Sequence, residues 1–186
     1  MDNKILAFEY MMWRLMEYYK INIGPDAEHA FDRLKAMKLL FFVSAFNTSK
    51  DNPGLLSTFN NFYAMPFGHV ESDVYYAIKN NTYPDSGTGL LYNIDKTSRK
   101  NNSNTSELEY FKSVGEDVKK IINSNIENLF KDSKHLLNCD SFKLVELSHE
   151  WYSWKSTYEI ARYLNKNSLP IDQIIIQKEV KFYKLP

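Results

Sequence analysis

The chain has 186 residues, 44% hydrophobic and 25% charged, which is enough for one full hydrophobic core. Lys plus Arg and Asp plus Glu number 23 each, so no net field draws it to phosphate backbones or anionic lipid, and general nucleic-acid binding is disfavoured. Its only cysteine, Cys139, excludes an intrachain disulfide and a cysteine-rich metal centre and suits a reducing cytoplasm.

Apolar residues at Ile5, Phe8, Met12, Leu15 and Tyr19 recur every three or four positions and predict a helix over 3–20. Leu6, Met11, Trp13 and Met16 add a second apolar face, so this helix packs on two sides. Glu9, Arg14 and Glu17 interrupt it, which argues for a buried helix and against a membrane span or a targeting sequence. Gly24 and Pro25 end it, and Asp26 offers a cap to the next helix.

That second helix, over 27–46, carries Ala27, Phe31, Leu34, Met37 and Phe41 on one stripe, widened by Leu39, Phe42, Val43 and Phe46. It reads as the centre of the domain. Lys38 lies between the stripes, where its stem is expected to cover apolar surface while its ammonium stays wet. A short helix over 55–64 and another from 69 or 70 to 80 are expected to flank Pro66, Phe67 and Gly68. Proline bends the chain there, and Gly68 is expected to take a positive φ.

Residues 81–106 contain Pro84, Gly87, Gly89 and an Asn/Ser-rich run and read as a polar, flexible loop. Within it, 90–94 is a strand candidate whose expected partner is the β-branched run 173–177. Ser106 and Glu109 form a capping-box pattern that opens a long helix to 130, with Gly115 inside its apolar stripe. Asp140 or Ser141 caps a helix through His149, and 154–165 forms one more. The whole chain, 1–186, therefore reads as a single, mainly α domain of six or seven helices, with room for a small two-stranded β element.

The four histidines, His29, His69, His135 and His149, match no metal-ligand spacing, and no cofactor-binding pattern accompanies them. Cys139 with His149 supplies a nucleophile and a base in principle, but lone cysteines are mostly small buried hydrophobes and no oxyanion-forming glycine turn stands nearby. For His149 the simplest role is a structural hydrogen bond at a helix end.

Aromatic residues make up 15% of the chain. They concentrate at Tyr63, Phe67, Tyr75 and Tyr76 and again at Trp151, Tyr152, Trp154 and Tyr158. Trp154, Phe67 and Tyr75 are expected in the core. Trp151 and Tyr152, between two predicted helices, are expected at the surface and, with Tyr76 and Tyr63, are the candidate partner-binding residues.

Lys35, Lys38 and Leu39, then Ala64, Gly68, Val70, Val74 and Tyr75, then Leu147, Ser148, His149 and Trp154 follow one another in the order and spacing of a known bacterial pattern. Over 34–154 the chain resembles the Panacea (SocA-like) domain family. It departs from that pattern at Ala36 for the usual Leu, Met65 for Trp and His69 for Pro. The resemblance implies that Lys38, Leu39, Gly68, Val70, Tyr75, His149 and Trp154 are fold-defining. It also implies an antitoxin that neutralises a cognate toxin by direct contact, without catalysis; the residues themselves point to no cofactor, metal or membrane. Within the same family the alternative is a proteolytic adaptor, whose second partner is a protease component. The reading from another class is a small cysteine/histidine-dependent enzyme. Nothing in these residues sets the oligomeric state.

Overall fold

The computed structural model describes residues 3–25, 27, 30–80, 92–93, 98–99 and 107–184. The expectations for Asp26, His29 and Ser106, and most of those for the loop 81–106, lie outside these residues. The fold is mainly α with a small three-stranded antiparallel sheet. Its buried apolar side chains, from Ile5 in the first helix to Ile176 near the C-terminus, form one cluster. Among the described residues no helix is long and apolar enough to cross a membrane.

Helix α1 (Asn3–Asn22) buries both of its predicted faces, packing against α3 (Ser72–Asn80) on one side and α5 (Glu116–Asp132) on the other. Helix α2 is shorter than predicted, Arg33–Ala45, because Asp32 caps it: the Asp32 carboxylate accepts the Lys35 N–H at 2.7 Å. Nearly every residue of α2 is buried, as suits a helix enclosed by α1, α5, α7 (Ser141–His149) and the sheet. Lys35 stays inside by donating to the Leu137 carbonyl at 2.6 Å and the Cys139 carbonyl at 3.0 Å, at the end of the short helix α6 (His135–Asn138).

The stretch predicted as two short helices is different. After a 3₁₀ turn at Gly54–Ser57, strands β1 (Phe62–Met65) and β2 (Gly68–Glu71) form an antiparallel hairpin, with Met65 opposite Gly68 and Tyr63 opposite Val70. Phe62 and Ala64 point into the core while Tyr63 and Met65 are half-buried, an alternation only four residues long that helical spacing mimics. Pro66 and Phe67 make the tip, and Gly68 takes φ +92°, as expected of a residue that must enter the left-handed region. Glu71 ends β2 and starts α3: its buried carboxylate accepts the Val74 N–H at 2.9 Å and the Lys4 ammonium at 2.9 Å.

The predicted pairing of 90–94 with 173–177 is also corrected. Tyr92–Asn93 (β3) pairs with Ser98–Arg99 (β4), and the third strand of the main sheet is β5 (Leu169–Pro170), beside β1. Residues Gln173–Lys178 are helix α9, because Asp172 accepts the Ile174 N–H at 2.9 Å and starts a helical turn. Gly115 is not inside a long helix. With ψ 137° it stands before α5 and separates it from α4 (Glu107–Tyr110), while Phe111 and Val114 between them reach the core. Asp140 caps α7 by accepting the Lys143 N–H at 3.0 Å. Trp151 then opens α8 (Tyr152–Tyr163).

Candidate functional site

The three sequence segments that carry the bacterial pattern meet in one seam, where α2, the β1–β2 hairpin, α7 and the start of α8 converge. Two of the side chains there are cations or bases that are completely buried. Lys38 is completely buried, contrary to the expectation of a wet ammonium, because the hairpin lies across it. Its Nζ donates to the His69 carbonyl at 2.5 Å and so ties β2 to α2. Burial lowers the Lys38 pKa to about 7.

His69 is equally buried. Its ring stacks on Phe41 with centroids 3.6 Å apart, and Trp151 meets Phe41 edge-on at 4.8 Å. Both ring nitrogens are partnered: Nδ1 lies 2.9 Å from Ser148 Oγ and Nε2 lies 2.8 Å from Ser153 Oγ. The His69 backbone N–H also donates to Ser148 Oγ at 3.1 Å.

Glu179 stands at the far end of this chain of bonds. Its Oε2 accepts the Ser153 N–H at 2.9 Å, which ties the C-terminal segment to the start of α8. A neutral imidazole donates from one ring nitrogen and accepts at the other, so one of the two serines accepts from His69 and the other donates to it. The imidazole is neutral, held well below its usual pKa by burial and by the neighbouring Lys38 and His149.

Gly68 is the other requirement of the seam. A Cβ on Gly68 would lie 2.4 Å from Ser148 Oγ and 2.9 Å from Lys38 Nζ, so the hairpin reaches its bonds only with no side chain there. The same seam explains the other pattern residues. Leu39, Val70 and Leu147 are buried in the surrounding core, and Tyr75 is half-buried against it.

Over the seam runs a partly exposed ladder of rings. His149 stacks on Trp154 at 3.7 Å, and Trp154 on Tyr158 at 4.9 Å. The Trp154 indole N–H donates to the Met65 carbonyl at 2.8 Å, which fixes α8 to the hairpin. His149 does not bond the free carbonyls of its own helix. It lies beside the Pro66 backbone, and burial with the nearby Lys38 lowers its pKa. Its Nε2 is buried without a partner among the described residues.

The four candidate partner-binding residues differ in exposure. Trp151 is fully buried, which overturns its expected surface position: it fills the gap between α2 and the C-terminal segment, and its indole N–H donates to the Phe182 carbonyl at 3.1 Å. Tyr63 is half-buried in β1, and Tyr76 and Tyr152 are exposed on α3 and α8. No hydrogen bond or ring contact joins any two of these last three among the described residues. Phe67, expected in the core, is exposed because it occupies the hairpin tip.

Glu179 was not legible as a member of the seam because it lies outside every motif, and Ser153 because it is not among the pattern positions of its segment. His69 carried a signal, being the one position where a ring with two hydrogen-bonding nitrogens replaces the usual proline. Although serine, histidine and carboxylate stand in line, His69, Ser148 and Ser153 are wholly buried, so no substrate reaches them in this structure. Cys139 is half-buried, with its thiol pKa raised by burial, and among the described residues its Sγ bonds only the Leu136 carbonyl. Among the described residues no group of three metal-binding side chains gathers.

Neither a curated protein nor a solved structure matches the chain. The family model described as "Antitoxin SocA-like, Panacea domain" matches residues 36–155, a span that begins in α2 and ends one residue after Trp154. That is well over half of the chain and contains all of the seam except Glu179, so the protein belongs to the SocA-like antitoxin Panacea domain family.

Proposed function

We propose that this protein is the antitoxin of a toxin–antitoxin pair and neutralises its toxin by direct protein–protein binding in the cytoplasm. The observation that carries the reading is the family match over 36–155. The antitoxin-like family also favours a non-enzymatic role, and the sealed seam agrees: its polar side chains spend their hydrogen bonds on holding elements together. With equal numbers of acidic and basic residues, capture depends on apolar docking with a polar rim more than on a long-range field. Tyr152 and Tyr76 are available for such docking, and Trp151 is not.

The test is to express the adjacent open reading frame with and without this protein and to score growth and recovery of a complex. Arrest by the neighbour, relieved by this protein in a stable complex, is the expected result. A harmless neighbour counts against the pair. Rescue with rapid loss of the neighbour and no stable complex would replace sequestration with delivery to a protease.

A further inference from the structure

After α9 the chain crosses the N-terminus of α8 as an extended strap. Glu179 is tied to the Ser153 N–H, and the Phe182 carbonyl accepts the Trp151 indole N–H, so the strap and the first turn of α8 are one surface. Along the strap the burial alternates. Glu179, Lys181 and Tyr183 face inward, while Val180 and Phe182 face outward with 71% and 44% of their surface exposed. The inward side is anchored: the Tyr183 ring lies between Phe46, at 5.7 Å, and Trp151, at 5.7 Å. Lys181 donates to the Ile176 and Gln177 carbonyls.

The outward side has no such cover. Tyr152, 64% exposed, joins Val180 and Phe182 there. Trp151 and His135 engage the Phe182 and Tyr183 carbonyls, but among the described residues no backbone N–H of 180–184 bonds another segment, so the strap keeps unpaired donors for an incoming chain. The exposed charged residues within three positions of these side chains along the chain are Lys155, one turn along α8 from Tyr152, Lys178 and Lys184 at the two ends of the strap, and Glu150. Three cations and one anion give the rim a positive balance on a chain whose total charge is zero. Two copies of this face would set lysine against lysine, which disfavours self-association through it.

We infer that Tyr152, Val180 and Phe182 form a docking surface for an extended, acidic segment of a partner protein that carries apolar anchor residues. The apolar trio supplies the contact area, the lysines select an acidic flank, and the strap's open N–H groups can donate to the carbonyls of an extended backbone. Taken with the proposed antitoxin role, on which this assignment of the partner rests, the segment belongs to the toxin.

Two synthetic twelve-residue peptides test it by fluorescence anisotropy on the full chain, one alternating Asp with Leu and Phe, the other alternating Lys with the same residues. The acidic peptide is expected to bind, more weakly as salt rises. The double variant Tyr152→Ser/Val180→Ser is expected to lose at least about tenfold in affinity with unchanged circular dichroism and melting. Tyr163→Ser, an exposed position at the far end of α8, is expected to bind as wild type. No binding of the acidic peptide, equal binding of both peptides, or undiminished binding by the double variant overturns the surface, as does a dimer that the double variant abolishes. The growth assay separates the two readings. A neighbour that wild type fails to neutralise sinks the antitoxin role while the peptide result stands. Full rescue by the folded double variant removes this surface as the toxin contact and leaves the antitoxin role intact.

Discussion

The hairpin seam and the C-terminal strap both lean on Trp151, yet they are held in different ways. In the seam, Lys38, His69, Ser148 and Ser153 are wholly buried and each bonds another element, so removing one leaves a donor or acceptor stranded in apolar surroundings. The strap is held from one side only, by Glu179, Lys181 and Tyr183, and gives its other side to solvent. The difference teaches where sequence change acts on folding and where it acts on binding.

The sharpest way to break that comparison is Lys38→Ala, which opens a cavity and strands the His69 carbonyl. A loss of roughly 2–5 kcal/mol in urea unfolding is expected. Lys38→Met, which keeps the volume and removes a costly buried amine, is expected to lose less. Wild-type stability in the alanine variant would mean that the hairpin does not depend on the seam.

Gly68→Ala comes next, at roughly 1–3 kcal/mol, because a Cβ strains the backbone at φ +92° and collides with Ser148 Oγ. The check is thermal melting, and an unshifted midpoint would contradict the close packing.

Acidification probes the same seam without mutation. His69 is a base whose folded pKa lies below its unfolded value, so below about pH 6.5 the unfolded chain binds the proton that the native state refuses. Stability should therefore fall steadily as pH drops from 6.5. Lys38 adds a loss on the alkaline side, spread from its ordinary value of 10.5 down to about 7 and complete below that. A melting midpoint that stays flat from pH 7 to 5 would refute the neutral, buried imidazole.

In the strap, Tyr183→Ala is expected to cost about 1–2 kcal/mol, less than Lys38→Ala, since its ring is only partly enclosed and the strap is free on one side. Equal losses at the two sites would erase the distinction. Tyr152→Ser is the smallest change, within about 0.5 kcal/mol of wild type, because its exposed ring supports nothing in the fold. Substantial unfolding by this variant would move Tyr152 out of any binding role.

How much of this was legible in the sequence follows from how local each signal is. Helix α1 was plain because its periodicity runs for five turns, and the Asp140 cap of α7 because capping needs only neighbours three residues apart. The hairpin was missed because each strand has four residues, too few for alternation to stand out from helical spacing. The β-branched run in α9 misled for a related reason: strand preference is a preference for a half-buried pleated surface, and no sheet edge waits for those residues. Trp151 was misplaced because a position between two helices looks exposed until the strap that covers it is known.

From the residues alone came a mainly α fold, the central place of the second helix, the positive φ at Gly68 and the pattern that marks the family. All of these rest on short-range periodicity, capping or sterics, or on ordered motifs that survive without coordinates. Only the tertiary structure decided that Lys38 is dry, that His69 bridges two serines and that Glu179 reaches back to Ser153 across 26 positions. It also decided that Trp151 lies beneath the strap while Tyr152, its immediate neighbour, remains outside. Burial and long-range hydrogen bonding depend on which elements meet, and adjacent residues of similar composition can fall on opposite sides of that boundary.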